Sequence, residues 1–281
     1  MRRLLVAIMA IFGFCAVPAA AEPVEGATDM EICEGCEALL ELALAHPRRD
    51  ADRVRDQYRH PAETLGFFKV RPGMTVIDYM PSGGWYTRVL VPYLGKDGRY
   101  IGLNPAVPAD APEGLRGYLG GLGEKFPAAA AGWALEGARV EAYNSDELGE
   151  AHKGSVDRVL MFRSMHSLMR NRMVESELAR LHGLLKEGGL LGIVQHRAKP
   201  DAPDDYVDGA KGYLREADVI AMVEAQGFVL ADRSEINANP LDSADWPAGV
   251  WELLPNLRSK REELRPVGES DRMTLLFRKQ G

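Results

Sequence analysis

From Thr75 to the C-terminus, short apolar runs alternate with segments of helical character, and this alternation constrains the fold more than any other feature. Thr75-Val76-Ile77-Asp78-Tyr79 follows the turn pair Pro72-Gly73 and reads as a buried strand. The pattern then predicts a helix over 85–94 and strands over 100–103, 138–142, 158–162, 190–194, 228–232 and 273–278. Further helices are expected at 173–185, stopped by Gly188-Gly189, and at 216–225, with weaker helical character over 113–126. Parallel neighbours need a crossover, usually a helix, so this order implies an α/β fold with a mainly parallel seven-stranded sheet and helices on both faces. Between the last two strands, Ser234 to Arg272 is rich in Pro, Asn, Asp and Trp and lacks periodicity, as expected of a wall or lid over a site.

The first 74 residues read differently. Arg2 and Arg3 precede the uncharged run Leu4 to Val17, and Ala19-Ala20-Ala21 follows, which is the pattern of a signal peptide cleaved before Glu22. The run is too short to span a bilayer stably, so a periplasmic or secreted protein is expected, with no membrane attachment after cleavage. Lys and Arg total 34 against 41 Asp and Glu, which argues against a nucleic-acid partner. Residues 22–58 read as an N-terminal extension, and 59–281 as the main domain. The extension carries a helix over 31–45, then a charged, solvated helix over 48–58 with Val54 and Tyr58 as its apolar stripe. Pro61 is placed to open a short helix that buries Leu65, Phe67 and Phe68.

Cys33 and Cys36 are candidates for a local disulfide, with a redox or metal role as the alternative. Glu37 stands where a haem-attachment motif requires His, and no nearby His pair completes a structural zinc site.

In an open α/β sheet, ligands bind beyond the carboxyl ends of the strands, where the strand order reverses. The first strand runs into Met80-Pro81-Ser82-Gly83-Gly84, whose small residues allow close backbone approach and whose following helix offers free amides. Asp78 either caps this turn or contacts a ligand, and Tyr86 either packs or walls the pocket. His166 follows the fourth strand and His196 the fifth, so both reach the same sheet edge. They suit a general base and its orienter, a pair of metal ligands, or a hydrogen-bonded structural pair. Arg163 and Arg197 flank them and suit an anionic substrate. His60, with Arg59 and Glu63, is a candidate for the opening of the pocket.

Val76-Ile77-Asp78-Tyr79-Met80-Pro81-Ser82-Gly83-Gly84-Trp85-Tyr86-Thr87 resembles the first motif of a bacterial family of predicted class I methyltransferases, often exported. The likeness extends from about Arg55 to the C-terminus. It takes in Arg59-His60-Pro61, Asp157-Arg158-Val159-Leu160 with His166, Gln195-His196-Arg197-Ala198, Asn237-Ala238-Asn239-Pro240 and Ser270-Asp271-Arg272. The resemblance implies a Rossmann-like fold with an antiparallel last strand, S-adenosylmethionine as cofactor and a small-molecule methyl acceptor. It places cofactor contacts at Asp78, Ser82, Gly83, Gly84 and Asn104. The chain departs from the pattern where Met80 and Ser82 replace glycines. It also carries Asn104 at the second strand's end, where an acidic residue usually accepts from the ribose. An amide still accepts a hydrogen bond there but forfeits the charge-assisted one. These departures keep open a second expectation, a ligand-binding protein built on the same scaffold.

Overall fold

The sheet has seven strands in the order β3-β2-β1-β4-β5-β7-β6 in a computed structural model that describes residue 33 and residues 35–281. The expected signal segment, 1–21, lies outside the described residues. In chain order the strands are β1 (Thr75–Tyr79), β2 (Arg99–Asn104), β3 (Arg139–Asn144), β4 (Val156–Phe162), β5 (Leu185–His196), β6 (Phe228–Ser234) and β7 (Arg272–Lys279). The β3-β2-β1-β4-β5 run is parallel throughout, and β7 enters antiparallel between β5 and β6. All seven predicted strands are present, and the sheet is mainly parallel with an antiparallel last strand, as expected.

The helices are α1 (Cys36–Ala45), α2 (Asp56–Arg59), α3 (Pro61–Phe67), α4 (Thr87–Leu94), α5 (Glu113–Leu119), α6 (Leu122–Ala131), α7 (Met165–Arg170), α8 (Val174–Leu184) and α9 (Glu216–Glu224). They cover both faces of the sheet. One core joins Ile77 and Tyr79 of β1 to Leu168 of α7, Leu178 and Leu181 of α8, and Val219 and Val223 of α9. The other joins Val76 to Leu40 of α1, Leu65 of α3, Val89 and Leu90 of α4, and Phe126 of α6. Neighbouring residues of β1 enter opposite cores because successive strand side chains point to opposite faces.

Two local readings change. Within the compact unit that runs to Gly281, segment 48–58 is not one solvated helix. It forms two 3-10 turns and the single-turn α2. Arg49 is fully buried, with both guanidinium ends on Asp56, while Val54 is exposed. Matched charge, rather than an apolar stripe, carries this segment inward. α8 stops at Leu184, because buried Leu185 pairs with Val156, and the strand pairing then skips to Arg158 and Leu190. Gly188, at φ 68, makes this excursion inside β5 rather than a helix stop.

Gly192 in β5 faces the ring of Phe68, and a methyl group there would meet Phe68 Cγ at 2.6 Å. Gly192→Ala is therefore expected to cost about 1–3 kcal/mol by overpacking. Urea unfolding should show a lower midpoint at unchanged slope, and a wild-type midpoint would contradict this packing.

Candidate functional site

The strand order reverses between β1 and β4, so their carboxyl ends open onto the crevice where ligands of open α/β sheets bind. Two adjoining cavities occupy it. The larger, of about 640 Å³, lies against the glycine turn, with Asp78, Ser82, Gly83 and Tyr86 in its wall. The smaller, of about 320 Å³, is lined by His166 and His196. Met80, Ser82, Phe162 and Arg163 line both, so the turn and the histidines share one continuous space. The roof is Trp251, Leu254, Pro255 and Asn256, from the irregular 234–272 segment.

Backbone strain gathers at this place. Met80 (φ 56), Ser82 (φ 50) and Arg163 (φ 60), which line both cavities, all take left-handed conformations. Such conformations cost about 1–3 kcal/mol each and persist where the surroundings enforce them, often at functional sites. At Arg163 the amide is held by Val194 O at 2.6 Å, which fixes the residue immediately beyond β4.

Asp78 forms part of the floor. It is 3 % exposed and accepts a 2.9 Å hydrogen bond from Tyr100 Oη, which in turn meets Thr87 Oγ1 at 2.8 Å. Burial raises its pKa to about 7, against the opposing pull of Tyr100, Arg163 and Thr87. Tyr86 stacks on Phe162, with ring centroids 3.6 Å apart and planes 7° from parallel. Burial pushes its phenol up to about 12, so it remains a neutral wall.

The two imidazoles stand 5.7 Å apart between ring centroids. Gln195 is fully buried and spends one amide hydrogen on Gly212 O at 2.7 Å, which fixes the carboxamide's orientation. Its Nε2 therefore presents a donor to His166 Nδ1 at 3.4 Å, making Nδ1 the acceptor and placing the proton on Nε2. His196 Nδ1 meets Ser270 Oγ at 2.5 Å, and a serine hydroxyl can accept from Nδ1–H. In that tautomer His196 Nε2 is free to take a proton. Burial drives both rings' pKa values down, His166 to about 4 and His196 well below the ordinary range, with Arg163 adding to the effect at each. Both are thus neutral at pH 7, which leaves His196 Nε2 as an acceptor, a weaker base than a free imidazole, and His166 Nε2–H as a hydrogen-bond donor. Among the described residues no group of three His, Cys, Asp or Glu is placed to hold a metal ion.

Several sequence candidates sit elsewhere. Arg197 lines a separate cavity of about 560 Å³ and is engaged by Asp271, Glu235 and Glu216. Its long fork reaches a carboxylate cluster across β7 that nothing in the local sequence announces. His60 lies outside the linings of both site cavities, with Nδ1 buried and without a partner among the described residues. Gly84 also lies outside them, because Trp133 occupies the space a side chain there would need, with the indole 2.2 Å from an ideal Cβ. Asn104 is 7 % exposed and donates its amide to Leu119 O at 2.9 Å, which ties the β2 end to α5. Cys33 and Cys36 are both disulfide-bonded.

The sequence reading missed Arg55 and Glu269, placed Arg59 only with His60 and Glu63 at the opening, and gave Arg272 no role beyond the motif that contains it. Glu269 accepts from Arg55 Nε at 2.5 Å, Arg59 Nε at 3.4 Å and Arg272 Nη2 at 2.5 Å. The signal available was the recurrence of arginine in two motifs, Arg59-His60-Pro61 and Ser270-Asp271-Arg272.

No protein-family model matches the chain, and no curated protein sequence matches it. Among solved structures, a Galdieria sulphuraria protein assigned as a sarcosine dimethylglycine methyltransferase is similar at 12% identity, over 84% of this chain and 91% of its own, with a TM-score of 0.50. A SAM dependent methyltransferase from Aquifex aeolicus shares 16% identity over 86% and 98% of the two chains, with a TM-score of 0.48. The Burkholderia thailandensis 1,6-didemethyltoxoflavin-N1-methyltransferase shares 15% over 95% and 94%, also at 0.48. Identities this low speak for fold alone. The strand order, the parallel core and the inserted antiparallel strand make this the Rossmann-like class I methyltransferase fold.

An NMR titration is expected to protonate the His166 ring near pH 4, below the 6.5 of an unperturbed imidazole. Because the folded value is the lower one, the unfolded chain takes the proton first as pH falls. The stability this residue contributes is complete above about pH 6.5 and is lost as pH falls through about 4. His166→Gln should flatten the fall of the urea midpoint across that window, and an unchanged fall would contradict the burial.

Proposed function

We propose that the chain is an exported, S-adenosylmethionine-dependent methyltransferase acting on a small molecule, with His196, held by Ser270, as proton acceptor and His166 as a hydrogen-bond donor beside it. The observation that carries this reading is the continuity of the glycine-turn cavity with the histidine cavity through Ser82, Phe162 and Arg163. The residues present fit the cofactor at its amino-acid end. Asp78 offers a buried carboxylate that titrates near neutrality, and Ser82 and Gly83 bring bare backbone to the cavity. Asn104 can offer only Oδ1, since its amide nitrogen already serves Leu119.

When bound, S-adenosylmethionine supplies an electrophilic methyl group on a positively charged sulfur. The chain's own part is to hold, shield and deprotonate. Stacked Tyr86 and Phe162 give an apolar wall, and the Trp251–Asn256 stretch limits the access of water. Neutral His196 takes the acceptor's proton on Nε2; because burial and the nearby arginines weaken it as a base, its contribution rests on position more than on basicity. Fixing the acceptor between that base and the glycine turn supplies the proximity that such transfers need.

A second reading, a binding protein on the same scaffold, is favoured by Asn104 and by Gly84, whose open side is filled by Trp133. Native mass spectrometry of periplasmic protein separates the two by the mass it finds bound. The same sample tests export, since its chain should begin at Glu22.

Isothermal titration with S-adenosylmethionine and S-adenosylhomocysteine is the direct test. A Cβ at Gly83 would meet nothing within 4 Å, so Gly83→Val is the substitution chosen to add bulk at the cavity wall. Wild-type protein should bind both compounds, and Gly83→Val should weaken binding by about tenfold or more, near 1.4 kcal/mol, at unchanged Tm. Absence of binding at millimolar concentration would overturn the proposal.

A further inference from the structure

Arginine is in excess where the two cavities meet. Arg55, Arg59 and Arg163 all line the larger cavity, and Arg272 lies buried behind them. These four guanidinium groups share one carboxylate, Glu269, which is already engaged by three of them. Other carboxylates nearby do not correct the balance. Asp52 is held by both ends of Arg88, at 2.6 and 2.7 Å, and Asp78 titrates near neutrality.

The donors are also underused. Arg59 is 2 % exposed, yet its Nη1 and Nη2 are buried without a partner among the described residues. Only Trp85 answers that guanidinium on its face, 4.6 Å from the ring centroid. Among the described residues no side-chain hydrogen bond or ion pair involves Arg163, although the strained backbone there holds it at the meeting point of the cavities. Ser164 Oγ, in the smaller cavity, is buried without a partner as well. Burying unpaired cations and donors is unfavourable unless something satisfies them. Arginine forks match planar or tetrahedral oxyanions, which accept two hydrogen bonds from one guanidinium.

We infer that Arg55, Arg59 and Arg163 form an oxyanion site, and that the molecule taken into this cavity carries a carboxylate or phosphate group gripped by them. The inference rests on the proposed methyltransferase reading only in assigning that group to the methyl acceptor. The anion site stands on the excess of arginine over carboxylate and on the unpartnered Arg59 nitrogens. Placed there, the anionic group anchors one end of the acceptor while the remainder extends toward His166 and His196.

The test uses inorganic phosphate and succinate as probes, with potassium chloride at matched ionic strength as the reference. Thermal unfolding of the protein lacking residues 1–21 should show a Tm rise with one or both probes beyond that of chloride. The more effective probe identifies the group as phosphate or carboxylate. Arg163→Gln should raise the apparent Kd for that probe by about tenfold or more. Arg139→Gln, which removes the same charge from an 81 % exposed side chain, should leave it unchanged. Far-UV circular dichroism establishes that both variants fold, and Arg55→Gln replaces Arg163→Gln if the latter does not. Retention of probe binding in saturating S-adenosylhomocysteine supports the acceptor assignment, whereas competitive displacement overturns it. No stabilisation beyond chloride, or equal binding by Arg163→Gln, overturns the anion site itself. If S-adenosylhomocysteine fails to bind while the probes still do, the methyltransferase reading falls and the anion site remains.

Discussion

The Glu269 carboxylate is the interaction on which the site depends. It lies three residues before Arg272, which opens β7, and it binds Arg55 and Arg59 from the opposite end of the chain. Burial alone would raise its pKa, but Arg272, Arg59 and Arg55 outweigh that and hold it at about 2. The carboxylate therefore stays ionised through the physiological range. Breaking a buried ion pair by removing one partner typically costs about 3–5 kcal/mol. Here one carboxylate serves three buried or half-buried cations. It joins the α2 segment to the irregular 234–272 region and so closes the cavity from two sides.

A second layer of support lies under the glycine turn. Asp78, Tyr100 and Thr87 form a buried chain of hydrogen bonds that links β1, β2 and α4. On the neighbouring face Tyr79 Oη donates to Glu177 at 2.8 Å, and the same carboxylate accepts from Ser145 Oγ at 2.8 Å. Successive residues of β1, Asp78 and Tyr79, thus end in two separate polar networks, one beneath the turn and one toward α8. Satisfied buried networks of this kind resist rearrangement, because any shift leaves a donor unpaired in a medium of low dielectric. They give the left-handed backbone at Met80 and Ser82 the rigid base it requires.

Much of the fold was legible in the sequence because hydrophobic periodicity is a local signal. Each of the seven strands could be read from a run of four to six residues, and β1 coincides with its predicted span. The site was legible only in part, and the reason is physical. His166 and His196 could be placed together because both follow strands whose order the alternation implies. Arg197 could not be separated from Arg163, since their different fates depend on Asp271 and Glu235, which sequence distance hides. The burial of Arg49 and Arg59 was equally hidden. Charged residues read as solvated unless their partners are known, and the partner of Arg59 is 210 positions away. Gly84 looked like a ligand contact because a glycine's vacancy is visible in sequence, while the Trp133 that fills it is not.

What the methyltransferase reading requires is that the glycine turn and the histidine pair face one ligand space. A crystal structure of the chain from Glu22 onward with S-adenosylhomocysteine measures this most directly. The expected result is the ligand's amino-acid end against Ser82 and Gly83, with its sulfur turned toward the cavity shared with His166 and His196. Density in the Arg197 cavity instead, or a glycine turn that stays empty at saturating ligand, would contradict it.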